Sequence, residues 1–214
     1  MTRIVVIGGS GYAGGNVVRE AASRGHEVTS VSRSAPAEQV PGVTYVAGSV
    51  LDADVRAEAL RTADVVVVAL SPRGDMAGET RHAIGTLANE AQEAGVRLGV
   101  IGGAGSLLVA EGGPRLVDSG EFPEAIKAEA QEMGAVLDDL RASDAALDWF
   151  FVSPAAGFGG FAPGEALGTY RVGGDVLLAD ENGNSFISGA DLAKAIVDEI
   201  EQPAHRRARF TVAY

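Results

Sequence analysis

A turn of closely spaced glycines follows the first apolar segment of the chain, and it limits the fold more than any other feature. Residues 4–7 (Ile-Val-Val-Ile) are typical of a strand covered on both faces of a parallel sheet. Apolar residues at helical spacing, beginning at Val17, predict a helix directly after the turn. The free N–H groups at the start of such a helix favour an anionic group such as a pyrophosphate. The turn consists of Gly8, Gly9, Ser10, Gly11, Tyr12, Ala13 and Gly14.

Apolar and amphipathic segments alternate along the first 152 residues. Strands are predicted over residues 4–7, 27–32, 43–47, 64–70, 96–101 and 149–152. Helices are predicted between them, over residues 52–62, up to residue 94, and along the segment 126–140. This βαβ alternation predicts an α/β fold, a doubly wound parallel sheet of Rossmann type with right-handed crossovers.

The pattern changes after residue 153. Residues 169–172 and 176–179 flank Gly173 and Gly174, which predicts a β-hairpin. Ser188 and Asp191 have the spacing of a capping box, which predicts a helix through residue 200, and residues 210–213 suit a closing strand. We therefore expect one domain over residues 1–214, in which residues 154–214 form a small α+β elaboration and the substrate-side wall of a cleft.

Composition narrows the function classes. The chain of 214 residues has no cysteine and three scattered histidines, so neither disulfides nor a metal site is expected. A net charge of −12 disfavours nucleic acid as a partner. The apolar runs are too short for a signal peptide or a membrane span. We expect a cytoplasmic monomer or small homo-oligomer that meets a small-molecule substrate.

The residues after the second predicted strand indicate which dinucleotide is bound. A dinucleotide fold that prefers NAD usually has an acidic residue there, which holds the ribose 2′-hydroxyl. This chain has Ser32 and Arg33 instead. A guanidinium can grip a 2′-phosphate with two hydrogen bonds, so NADP(H) is the predicted cofactor. A solvated Arg33 on a loop is the structural alternative.

At this point the chain resembles the atypical short-chain dehydrogenase/reductase superfamily, in particular small NAD(P)H-binding proteins near the flavin/biliverdin reductases and NmrA-like sensors. Besides the glycine turn, the resemblance is carried by residues 101–107 (Ile-Gly-Gly-Ala-Gly-Ser-Leu), 163–165 (Pro-Gly-Glu) and 168–171 (Gly-Thr-Tyr-Arg). It implies adenine near Ser49 and Val50, with the ribose and phosphates near Ala69, Leu70 and Ser71. It also implies the nicotinamide near Gly103, Ser153 and Pro154.

Two departures from that superfamily bear on chemistry. Relatives often carry Asp where this chain has Ser49, which removes an expected hydrogen bond to the adenine amine. Ordinary members use a Tyr and a Lys four residues apart on a helix to donate a proton. No tyrosine of this chain has a lysine four residues later, and Phe122 stands near the expected helix start, five residues before Lys127.

Without that acid, hydride transfer is easiest to an acceptor that stabilises its own anion, such as a flavin or quinone. The predicted function is an NADPH-dependent reductase with Ser106 and Tyr170 as candidate catalytic residues and Ser153 helping to orient the ring. Ser106 also suits a purely structural role after the glycine loop, and Tyr170 that of a strand residue. Phe158, Phe161 and Pro163 suit an apolar pocket for a planar ring or ordinary loop packing.

Two other functions remain open. The first is a non-catalytic NADP(H)-binding redox sensor, in which the cofactor orders the loop 102–120 or the C-terminal segment for a partner. Missing catalytic residues suit that function. The second is an epimerase or dehydratase, which the absent Tyr–Lys pair argues against.

Overall fold

One mixed sheet forms the centre of the protein, whose computed structural model describes residues 1–120 and 122–214. The strands are β1 (Arg3–Ile7), β2 (Glu27–Ser32), β3 (Thr44–Ala47), β4 (Val65–Val68), β5 (Arg97–Ile101), β6 (Trp149–Pro154), β7 (Arg171–Gly173) and β8 (Ala208–Ala213). Their order is β3-β2-β1-β4-β5-β6-β8-β7, and every neighbouring pair is parallel except β7 with β8. The predicted doubly wound α/β fold is therefore confirmed.

Helices cover both faces of this sheet. They are α1 (Tyr12–Ser23), α2 (Ala53–Thr62), α3 (Thr80–Ala94), α4 (Lys127–Ala142) and α5 (Gly189–Glu201). One core joins α1 and α5 to the sheet face that carries Phe150 and Phe210. The other joins α2, α3 and α4 to the face that carries Trp149 and Phe151. No helix of the described residues is long and apolar enough to cross a membrane.

The predicted hairpin over residues 169–172 and 176–179 is wrong. Its first half forms the short strand β7, but β7 pairs antiparallel with β8, with Val172 opposite Val212. The second half forms no strand, and Val176 makes a single bridge to Leu108 in the loop after β5. The free edge of β8 and the loop after β5 supply backbone partners that local turn chemistry does not reveal.

The capping box of α5 forms only in part. The Ser188 hydroxyl accepts a hydrogen bond from the Asp191 amide at 3.1 Å, as a capping residue should. The Asp191 carboxylate does not return to the Ser188 amide. It accepts instead from the amides of Leu167 and Gly168 at 2.7 and 3.0 Å. Asp191 thereby fastens the loop before β7 onto the start of α5.

Candidate functional site

The four glycines of the first turn lack side chains for two different reasons. Gly8 has a φ of +86°, and a Cβ there would lie 2.3 Å from the Ala69 carbonyl oxygen. A Cβ on Gly14 would lie 2.3 Å from the Gly8 carbonyl oxygen. Packing of β1, β4 and α1 requires both glycines. At Gly11 the nearest atom to such a Cβ, the Gly8 oxygen, is 3.3 Å away, a close contact that a shift of a few tenths of an ångström would relieve, so packing restricts Gly11 far less than Gly8 or Gly14.

The start of α1 presents unused backbone donors. Gly11 is the residue preceding the helix, and it provides no side-chain cap. The first turn of α1 has no acidic residue to neutralise the amides of Tyr12, Ala13 and Gly14. Helix N–H groups without a partner, together with the helix dipole, form a site for an anion. The uncapped helix start lies directly after the glycine turn that the sequence analysis proposed for a pyrophosphate, and binding of the anion there remains a prediction.

A cavity of about 250 Å³ opens beside this turn at the carboxyl ends of β1, β2 and β4. We call it the glycine-turn cavity. Ten residues predicted from sequence line it: Gly8, Ser10, Gly11, Ser32, Arg33, Ser49, Val50, Ala69, Leu70 and Ser71. Ser32 ties the turn to β2, because its hydroxyl accepts from the Ser10 amide at 2.9 Å. The carboxyl edge of such a sheet is where dinucleotides bind.

Two arginines stand on the rim of the glycine-turn cavity. Arg33 follows β2, and its Nη1 lies 3.0 Å from the Asp75 carboxylate. Arg73 follows β4 and donates to Glu129 at 2.6 Å. The Arg33 side chain is 63% exposed and that of Asp75 is 90% exposed, so the pair is weak. Arg33 can therefore exchange its carboxylate for a ligand phosphate at small cost.

The other predicted cofactor residues lie outside this cavity. Ser153 and Pro154 end β6, and the side chain of Ser153 is fully buried. Gly103 is open, since a Cβ there would meet nothing within 4 Å. Tyr12 instead fastens the C-terminal segment, because its hydroxyl donates to the Pro163 carbonyl oxygen and accepts from the Gly189 amide.

Phe158 and Phe161, which the sequence analysis considered for an apolar pocket or for loop packing, lie in different surroundings. The Phe158 ring packs against the Tyr12 ring, with centroids 5.4 Å apart. Phe161 is 83% exposed, and it belongs to the loop that crosses the start of α1. An exposed aromatic ring beside a cofactor site is available to stack on a planar group.

Ser106 lies on a second cavity of about 240 Å³, between the loop after β5 and α4, which we call the Ser106 cavity. Ser106 ends a 3₁₀ turn, Ala104–Ser106, and is 6% exposed. The α4 face of the cavity carries Ala130, Gln131, Gly134 and Ala135. Asp138 lies on the same face of α4, and the five residues form three pairs four apart, none of which has the tyrosine or lysine of ordinary short-chain reductases.

Tyr170 lies against α5 and lines neither cavity. Its hydroxyl donates to the Asp198 carboxylate, and Lys194 Nζ lies 5.4 Å from its ring centroid. Burial, reinforced by the hydrogen bond to Asp198, raises the pKa of Tyr170 above its ordinary value. A phenol with a raised pKa is a weaker proton donor. The catalytic role predicted for Tyr170 remains a prediction.

The geometry matches a dinucleotide-binding protein of Rossmann type. A parallel sheet presents a glycine turn, an uncapped helix start and a cavity at its carboxyl edge, and Gly11 leaves the space that a pyrophosphate needs. Comparison with known proteins agrees, because the profile of the NAD(P)H-binding family matches residues 8–203. The chain belongs to this family.

Relatives extend along the whole chain. The uncharacterized protein YwnB of Bacillus subtilis is 38% identical over 214 residues, covering 98% of this chain and 97% of YwnB. The structure of a Bacteroides thetaiotaomicron protein, provisionally named an epimerase, superposes with a TM-score of 0.89 at 38% sequence identity. The match covers 100% of this chain and 97% of the Bacteroides chain. A protein of Streptococcus pneumoniae, provisionally named an NADH-flavin reductase, is 32% identical with a TM-score of 0.85, covering 100% and 99%.

Several residues of the glycine-turn cavity escaped the sequence analysis: Ile7, Val31, Gly48, Arg73 and Met76. Arg73 could have been found, since it follows the strand predicted over residues 64–70, and the strands of a parallel sheet end at the same edge. Gly48 packs on α2, because a Cβ there would lie 2.7 Å from Val55. That contact joins residues of different elements and leaves no local pattern.

Proposed function

We propose that this protein is an NADPH-dependent reductase of a small planar acceptor such as a flavin or quinone. The observation that carries this proposal is the glycine-turn cavity, with anion-binding amides at one end and two arginines on its rim. The relative named as an NADH-flavin reductase supports the reductase class. The epimerase name of another relative favours a different chemistry, for which α4 lacks the usual Tyr–Lys pair beside the Ser106 cavity.

The phosphorylated cofactor is favoured by Arg33 and Arg73. Both line the glycine-turn cavity, as do Ser49 and Val50, near which the adenine is expected. A 2′-phosphate would replace the exposed Asp75 as the partner of Arg33. Asp75 competes with that phosphate, so the preference for NADPH depends on how cheaply the Arg33–Asp75 pair opens.

The proposed class of acceptor rests on which side chains could donate a proton to it. When bound, reduced nicotinamide supplies a hydride, that is, two electrons and one proton. A ketone that receives a hydride becomes a strongly basic alkoxide and needs a proton donor in the transition state. The α4 residues that line the Ser106 cavity include neither tyrosine nor lysine, and the Tyr170 hydroxyl donates to Asp198. A quinone or flavin spreads the charge over its own ring, and water can supply the second proton.

This chain's residues then bind, orient and stabilise. The amides at the start of α1 would hold the pyrophosphate, and Arg33 and Arg73 would hold the adenosine end. Ser106, buried after β5, orients the acceptor with its hydroxyl. The buried Ser153 supports the same edge of the sheet from β6.

An acceptor panel tests the proposal. Purified protein is mixed with NADPH or NADH and with flavin mononucleotide, a 1,4-naphthoquinone or cyclohexanone, and loss of reduced-nicotinamide absorbance is followed. Slow oxidation of NADPH is expected with the flavin or the quinone, and at least about 100-fold less with the ketone. Gly11→Val, which should block the cofactor, controls for uncatalysed oxidation.

Tight NADPH binding without turnover for any acceptor would refute the reductase. That outcome favours the redox sensor, in which the cofactor orders the loop 102–120 for a partner. Equal rates with flavin and ketone would instead show that a proton donor exists and that the argument from missing acids is wrong.

A further inference from the structure

A buried arginine lies behind Ser106. The Arg209 side chain on β8 is 2% exposed, and its Nη1 lies 3.2 Å from the Ser106 Oγ and 3.4 Å from the Ser153 Oγ. Its Nε donates to Asp175 at 2.7 Å. A guanidinium has donors and no acceptor, so both serine oxygens accept from it. Each hydroxyl proton therefore remains to be donated to another group.

A second buried arginine provides a comparison. The Arg97 side chain is 8% exposed, and its Nη2 lies 2.6 Å from the Glu199 carboxylate. Its other partners include backbone carbonyls, those of Glu199 and His205. Arg97 begins β5, at the amino edge of the sheet, and its contacts are those of a structural ion pair. Arg209 differs because it contacts two neutral hydroxyls at the carboxyl edge, where the acceptor is expected.

The charges around the Ser106 cavity favour an anion at its Ser106 wall. Asp138 is paired with Arg115, whose Nη2 lies 2.9 Å from it, and Asp175 is bound by both Arg209 and Arg141. Asp118 lies on another wall and repels an anion there. Ser106, with the Arg209 charge directly behind it, is the wall that attracts one.

We propose that the Ser106 cavity binds the ionised oxygen of a phenol- or enol-type ring. Ser106 donates the hydrogen bond, and Arg209 is a positioning residue that acts through Ser106. The inference rests on the proposed function in one respect: this is the type of oxygen on which a quinone or flavin gathers negative charge during reduction. Arg209 fixes Ser106 as a donor and holds a buried positive charge behind it, although Asp175, which Arg209 shares with Arg141, offsets part of that charge.

The test measures the ionisation of a bound phenol and needs no turnover. The protein, with and without saturating NADP⁺, is titrated with 4-nitrophenol, and the apparent pKa of the bound probe is read from the absorbance of its phenolate. In the wild type that pKa is expected to lie about one to two pH units below that of the free probe. Ser106→Ala and Arg209→Met should each remove most of the shift, while Arg97→Met should keep it.

A double variant tests whether Arg209 acts through Ser106 or whether its replacement disturbs the cavity independently of Ser106. If Arg209 acts through Ser106, adding Arg209→Met to Ser106→Ala should cause no further change in the pKa of the probe. Should Arg209→Met fail to fold, Arg209→Lys, which keeps the charge but loses the fork, should give an intermediate shift. Melting curves of every variant identify the folded ones.

Two outcomes would overturn the inference. One is a wild-type protein that does not bind the probe or does not lower its pKa. The other is equal loss of the shift in the Arg97 and Arg209 variants, which would reduce Arg209 to a structural ion pair. Failure of the reductase appears differently, as a lowered pKa of the probe in a protein that oxidises no NADPH with any acceptor.

Discussion

Replacing Arg33 by alanine should separate the two nicotinamide cofactors. A charge-assisted hydrogen bond to a phosphate contributes about 1.5–3 kcal/mol, and the 63% exposure of the Arg33 side chain puts this contact near the lower figure. NADPH affinity should therefore fall about 10- to 30-fold. NADH has no 2′-phosphate, and its affinity should stay within about twofold.

The partner of Arg33 offers an opposite perturbation. The Arg33–Asp75 pair is exposed at both ends, so opening it costs about 0–1 kcal/mol. Asp75→Asn removes the competing carboxylate and should tighten NADPH by up to about fivefold. Arg61→Ala is the matched control, because Arg61 is 70% exposed and pairs with Glu58 outside the glycine-turn cavity.

Isothermal titration calorimetry with NADPH and with NADH tests whether Arg33 recognises the 2′-phosphate. NADPH should weaken in Arg33→Ala, strengthen in Asp75→Asn and stay unchanged in Arg61→Ala. Equal losses of NADPH and NADH affinity in Arg33→Ala would show that Arg33 does not read the 2′-phosphate. The assignment of NADP(H) would then be withdrawn.

Two further predictions concern the glycine turn and the acid stability of the fold. Gly11→Val should keep a melting temperature near that of the wild type, because a Cβ at this position has no backbone atom closer than 3.3 Å, and it should lose cofactor binding in the same titration. Gly14→Val should fail to fold, because a Cβ there would lie 2.3 Å from the Gly8 carbonyl oxygen. If Gly11→Val bound the cofactor with wild-type affinity, the cofactor site would have to lie elsewhere in the protein. Burial raises the pKa of Glu199, but hydrogen bonds from Arg97 and His205 outweigh it and hold that pKa below the ordinary 4.5. This stabilisation is complete above that value and is lost as the pH falls through the folded-state pKa. Glu199→Gln should therefore lower the free energy of unfolding by about 3 kcal/mol at pH 7. The stability of this variant should also fall less steeply than that of the wild type as the pH is lowered below 4.5. Glu58→Gln, at an exposed residue, is the control. If the stability of Glu199→Gln fell as steeply with decreasing pH as that of the wild type, the pKa argument would be contradicted.

The sheet and most of the cofactor site were predictable from sequence because their signals are local. The apolar run at residues 4–7, the glycine turn and the helical spacing from Val17 each depend on neighbours in the chain. The positions after β1 and β2 followed from the glycine turn and from the usual place of the ribose-binding residue, whereas those after β4 were implied by the family resemblance. The C-terminal hairpin failed for the opposite reason, since β7 found its partner in β8, about 40 residues away.

The sequence by itself determined the class of fold, the position of the glycine turn and the absence of a Tyr–Lys pair, since periodicity, glycine spacing and residue identity contain that information. Tertiary structure decided the rest. It set Arg73 beside Arg33 and placed Arg209 of β8 behind Ser106 of the loop after β5. It also directed the Tyr170 hydroxyl to Asp198. These contacts join residues far apart in the chain, and their geometry arises only when both cores pack against the sheet and fix which side chains are buried together.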